Sequence, residues 1–91
     1  MTKDAVAGQV DTVVVTARQI MSSAAFAAGV ADVRAGKPAR FDGGFADDWG
    51  YERGRQWALI APRSMPLRIG RRLNTDAMRL FERAWLRKEI V

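Results

Sequence analysis

The sequence predicts a mainly α-helical fold: a small domain of three helices, with room for one short two-stranded β pair. Three observations lead there. From Ala77 to Trp85 apolar residues recur at i, i+3, i+4, i+7 and i+8 (Ala77, Leu80, Phe81, Ala84, Trp85), the stripe of an amphipathic helix. Helix start and stop signals bracket three segments: Ser22-Ser23 to Gly36, Asp47-Asp48 to Pro62, and Asn74 to Asp76 ahead of the last run. Four Phe, three Trp and one Tyr supply the bulky side chains that a chain of 91 residues needs for its core. That length makes one domain over residues 1–91.

Residues 1–9 are small and polar and are expected as a loose N-terminal tail. Val10 to Thr16 contains three consecutive β-branched residues, which favour a strand. A helix through Asp11 to Met21 is the competing reading. Ser22 or Ser23 then opens a helix that Gly36 closes in a left-handed cap, with Pro38 just beyond. Phe26, Val30 and Val33 share its apolar face, and Ala25, Gly29 and Asp32 form a neighbouring face of mostly short side chains. Lys37 to Ala46 reads as a loop, loosest at Gly43-Gly44 and pinned to the core by Phe41 and Phe45.

Asp47 or Asp48 caps the second helix. Its glycines at 50 and 54 each cost about 0.8–1 kcal/mol against alanine in a helix interior. Close approach of another backbone is the physical reason to keep them. Because Gly50, Gly54, Trp57 and Ala58 share a face, a tight helix hairpin with the first helix is expected. Leu67 and Ile69 alternate with Arg68 and suit a short strand, with Val13–Val15 as its expected partner. The last helix starts at Asn74, Thr75 or Asp76. Trp49, Tyr51, Trp57 and Trp85 are all expected in the core, although exposed aromatics beside arginine would offer base stacking.

Charge is distributed unevenly. Residues 53–91 carry ten basic groups against three acids, a balance of +7, whereas residues 1–52 carry five against seven, a balance of −2. Most of the cations are arginine, whose planar fork matches phosphate or carboxylate bidentately. Arg79, Arg83 and Arg87 fall at four-residue steps along one face of the last helix, with Arg71 and Arg72 just upstream; Arg53 and Arg55 are outer candidates. Such a face attracts an anionic macromolecule, either RNA or DNA or an acidic protein surface. The competing reading is a solvated helix face part-neutralised by Glu82 and Glu89.

Catalysis has little to work with. Neither His nor Cys is present, so the commonest general base, thiolate chemistry and disulfides are excluded. Ser22, Ser23 and Ser64 have no histidine to activate them, and no motif places Lys3, Lys37 or Lys88 beside them. Asp42, Asp47, Asp48 and Glu52 match no calcium-loop spacing, and the aspartate pair is explained by the helix start. No enzyme activity, cofactor or metal is expected. The apolar run from Ala24 stops at Asp32, short of a membrane span, and no signal peptide is recognisable. A cytoplasmic location in a bacterial or phage-infected cell and no membrane partner are therefore expected. A homodimer is a further option, with Trp85 as the candidate buried residue.

Two resemblances add context. The segments Ala25-Phe26-Ala27-Ala28-Gly29, Ala35-Gly36-Lys37-Pro38 and Trp49 to Ala58 resemble the pattern of ribosome modulation factor. That likeness implies a basic helical hairpin that binds ribosomal RNA and parks ribosomes as inactive dimers. The segment Trp49-Gly50-Tyr51-Glu52-Arg53-Gly54-Arg55 is similar to one in small phage and proteobacterial proteins. This likeness implies an accessory factor, such as an anti-CRISPR-like inhibitor docking its arginine face on an acidic surface of a host defence protein. Binding of RNA or the ribosome is the first expectation and the inhibitor the alternative.

Overall fold

The short side chains and glycines of two helices allow them to pack backbone against backbone, and the rest of the fold is arranged around that pair. The computed structural model describes residues 16–41 and 45–91. It contains α1 (Ala17–Met21), α2 (Ala24–Arg34), α3 (Phe45–Ile60), β1 (Arg68–Ile69), β2 (Arg72–Leu73) and α4 (Thr75–Leu86). The mainly helical architecture with one small sheet is thus present. The expected tail at 1–9 and residues 10–15 of the expected Val10–Thr16 strand and the competing Asp11–Met21 helix lie outside the described residues, as does Gly43-Gly44.

Thr16 begins the described chain as the cap of α1, a helix beyond the three of the expected fold that coincides with the described end of the competing Asp11–Met21 helix. Its hydroxyl accepts from the Gln19 backbone N–H while the Gln19 side chain accepts from the Thr16 N–H, so two otherwise unpaired donors are satisfied reciprocally. After Ser22, Ser23 caps α2 by accepting from Phe26 N–H at 3.1 Å.

α2 ends as the sequence predicts. Gly36 adopts φ 71°, its N–H bonds the Val33 carbonyl, and the Lys37 N–H bonds the Asp32 carbonyl. That pair of bonds satisfies the last carbonyls of the helix and needs one left-handed residue. α4 ends in the same way, with Lys88 N–H on Trp85 and Glu89 N–H on Ala84. Here the left-handed position is held by Lys88, at φ 61°, and not by a glycine.

α3 starts at Phe45, ahead of the expected aspartate cap, so Asp47 and Asp48 occupy its first turn. Their charge still suits that end of the helix dipole. The strand at Arg68–Ile69 pairs with Arg72–Leu73 in an antiparallel hairpin, with Arg68 opposite Leu73 and Ile69 opposite Arg72. The expected partner, Val13–Val15, lies outside the described residues. Gly70, at φ 64°, leads the two-residue turn, where positive φ matches the strand twist and favours glycine. Asn74 then caps α4, accepting from Asp76 N–H at 3.1 Å and donating to the Pro66 carbonyl at 2.9 Å.

The core is aromatic at its centre. Phe26, Trp57, Phe81 and Met21 are fully enclosed. Phe26 meets Phe81 edge-on, with ring centroids 5.7 Å apart, and meets Trp57 at 6.2 Å. The one polar atom of Trp57 is satisfied, because Nε1–H donates to the Ala77 carbonyl at 3.1 Å and so ties α3 to the first turn of α4. Tyr51 is buried as expected. Trp85 and Trp49 depart from expectation: they are 38% and 39% exposed. Each presents one ring face to the guanidinium of Arg53, which limits how far either is enclosed. Phe41, expected to pin its loop to the core, is 55% exposed and instead meets the Tyr51 ring edge-on at 5.6 Å.

Candidate functional site

The stripe that buries Ala77, Phe81 and Ala84 turns the opposite side of α4 to solvent. Arg79, Arg83 and Arg87 occupy that outer side and all three are exposed. Four-residue steps along a helix advance about 6 Å each, so the three arginines, the last at the C-cap of α4, follow one another along that side. Arg71, in the hairpin turn, and Arg72, on β2, are exposed beside the start of α4. Among the described residues no ion pair engages any of these five. Asp76, Glu82 and Glu89 lie near them in sequence without pairing to them among the described residues.

Arg53 and Arg55 differ from the five. The Arg53 guanidinium lies 4.9 Å from the Trp85 ring centroid and 5.2 Å from that of Trp49, and its Nε–H donates to the Val91 carbonyl at 3.0 Å. Burial pushes its pKa down, because removing water penalises the charged form. Arg55 lies 6.0 Å from the Tyr51 ring centroid and donates to the Lys37 carbonyl at 3.4 Å. Expected as outer contacts, both side chains are engaged within the molecule.

Two arginines outside the expected site residues join Arg71 and Arg72. Arg18 projects from α1, inside the half of the chain whose net charge is negative, and Arg68 belongs to β1. The four surround a recess of about 380 Å³ that reaches Thr75 in the first turn of α4. Arg68 is held in place, donating to the Arg71 carbonyl at 3.1 Å and to the Ser22 carbonyl at 3.5 Å. Thr75 precedes Arg79 by four residues, so the arginine line continues from the rim of the recess.

The one buried carboxylate among the described residues serves the fold. Asp32 accepts from the Tyr51 hydroxyl and from Arg40, whose Nη2 lies 3.0 Å away. The Tyr51 oxygen also accepts from the Arg40 backbone N–H at 3.2 Å, which fastens the loop after α2 onto α3. The Tyr51 hydrogen bond, followed by the bond and charge of Arg40, holds the Asp32 carboxyl below its ordinary value against the opposing effect of burial. Sequence spacing alone placed Asp32 on a small-residue face and gave no sign of this cluster. No group of acidic side chains among the described residues could hold a metal ion, and no helix there is long and apolar enough to cross a membrane.

No protein-family model matches the chain, and comparison with curated proteins and with solved structures gave no match.

Proposed function

We propose that this protein is a non-enzymatic nucleic-acid-binding module that holds RNA, of ribosomal type, by its phosphates. Arg71, Arg72, Arg79, Arg83 and Arg87 are the contacts. The observation that carries this reading is their shared state: five exposed guanidinium groups, none in an ion pair among the described residues. A cation already paired must give up its partner to bind a phosphate, whereas these pay no such penalty. Their planar forks suit phosphate oxygens, and contacts of this kind position a backbone without reading its sequence.

If each of the five neutralises one phosphate, the log–log dependence of affinity on salt has a slope near −3.5 for single strands and near −4.5 for duplex, on the order of 0.7 and 0.9 per contact. A tagged full-length chain used to capture partners from bacterial lysate tests the class of partner. Recovery of ribosomal RNA that disappears after nuclease treatment is expected. A single stoichiometric protein that survives nuclease would replace this reading with a second one, an inhibitor docked on an acidic protein surface. One observation favours that alternative: Leu86, the last residue of α4, is 81% exposed between Arg83 and Arg87 in sequence. Phosphate binding gives such an apolar side chain no role.

A further inference from the structure

Like charges gathered in one recess repel, and the repulsion is relieved by an anion that bridges them. Two segments distant in sequence, α1 and the β1–β2 hairpin, bring Arg18, Arg68, Arg71 and Arg72 around one recess of about 380 Å³, and no acidic side chain among the described residues lines it. Only Arg68 is tied down, through two backbone carbonyls. The other three forks are free of hydrogen bonds and ion pairs among the described residues.

From this arrangement we infer that the recess binds a compact oligophosphate group, a diphosphate or triphosphate, more tightly than the spaced diesters of a nucleic-acid backbone that Arg71 and Arg72 also contact. The argument is one of charge density. A phosphodiester carries one negative charge and satisfies one fork, and its neighbours follow along the strand. A diphosphate concentrates its charge and its acceptor oxygens within a single small volume, which suits a recess lined by four arginines, three of them with unengaged forks. The volume falls in the range of small-ligand sites, about 300–1,000 Å³, and exceeds what one phosphate fills. Thr75 adds a hydroxyl donor at the rim. The inference extends the proposed function, since it rests on anion binding by the C-terminal half. It assigns the recess to an oligophosphate, whether free, as in a nucleoside triphosphate, or at the 5′ end of an RNA.

Titration of the ¹⁵N-labelled full chain with sodium pyrophosphate and with sodium phosphate, at matched ionic strength, tests it. Pyrophosphate is expected to saturate a single site, shifting the Arg68–Thr75 amides, with affinity at least about tenfold above that of phosphate. Arg72→Gln and, separately, Arg18→Gln should each lower that affinity by about tenfold while the remaining spectrum stays unchanged. Because Arg18 lies on a different element from the hairpin, the second variant guards against a local effect on β2. Arg79→Gln/Arg83→Gln/Arg87→Gln should keep pyrophosphate affinity and weaken RNA binding, whereas Arg18→Gln, outside the proposed RNA contacts, should weaken pyrophosphate binding alone, so failure of the recess and failure of the RNA reading are distinguishable. Comparing a 5′-triphosphate RNA with its 5′-hydroxyl twin separates the sources. A preference for the triphosphate end places the ligand on RNA, and no preference beside tight pyrophosphate binding makes it a free oligophosphate. Equal, non-saturating responses to phosphate and pyrophosphate, or unchanged pyrophosphate affinity in both single variants, would overturn the assignment.

Discussion

Gly54 lies against the backbone of Phe26: a β-carbon at Gly54 would fall 2.2 Å from the Phe26 carbonyl oxygen. The contact is reciprocated, since a β-carbon at Gly29 would fall 2.1 Å from the Tyr51 carbonyl oxygen. Two helices therefore touch main chain to main chain, which allows Phe26 and Trp57 to share one core and sets Tyr51 opposite Asp32.

Gly54→Ala is accordingly expected to destabilise strongly. The obstructing atoms are backbone and cannot swing aside, so the helices must separate at a cost of about 3 kcal/mol or more, against about 1 kcal/mol gained in helix propensity. Gly50→Ala should be much milder, because its β-carbon would meet the Ala25 Cβ at 3.3 Å and the Ser23 Oγ at 3.4 Å. Urea denaturation of the two variants measures the difference, and equal costs would mean that the hairpin is not packed this tightly.

Lys88 holds the left-handed position that closes α4. A β-carbon there costs about 1 kcal/mol, so Lys88→Gly should raise stability by about that amount. A rise in Tm is the readout, and a fall would show that the Lys88 side chain makes a contribution larger than the backbone strain.

Asp32 gives a pH dependence with a definite sign. Its folded pKa is lowered, first by the Tyr51 hydrogen bond. Its stabilisation is therefore complete above the unfolded value of about 3.9 and is lost as pH falls through the lower folded value. Urea midpoints measured from about pH 6 to pH 2 should fall in this window, and Tyr51→Phe should narrow it by raising the Asp32 pKa. An acid limb identical in Asp32→Asn and wild type would assign the acid sensitivity to other carboxylates.

Arg53 separates an arginine engaged within the fold from those proposed as RNA contacts. Stacked between Trp49 and Trp85 and bonded to the Val91 carbonyl, it joins α3 to the end of the chain. Arg53→Gln should cost about 1 kcal/mol of stability and leave the salt slope of RNA binding unchanged. A slope reduced by about 0.7 would return Arg53 to the interface.

Much of this fold is written locally. Ser23, Gly36 and Asn74 act through neighbours within a few residues, and the α4 stripe follows from helical period alone, so each was legible. The paired glycines were legible because their cost in a helix demanded a close contact. The Asp32–Arg40–Tyr51 cluster was not, since its members meet only after the hairpin closes. Arg18 was hidden for the same reason: its charge counts toward an acidic half of the sequence but a basic recess of the folded molecule. Trp85 shows the limit of periodicity, which placed it correctly on the helix but gave no sign that a cation would hold it at the surface.

Salt dependence of RNA binding, compared between wild type and Arg79→Gln/Arg83→Gln/Arg87→Gln, tests the central claim most directly. The wild-type slope on single-stranded RNA should lie near −3.5, and the folded variant's should be shallower by about 2, on the order of 0.7 for each phosphate contact removed. A wild-type slope near zero, or a variant slope equal to that of wild type, would contradict the assignment of the α4 arginines to phosphates.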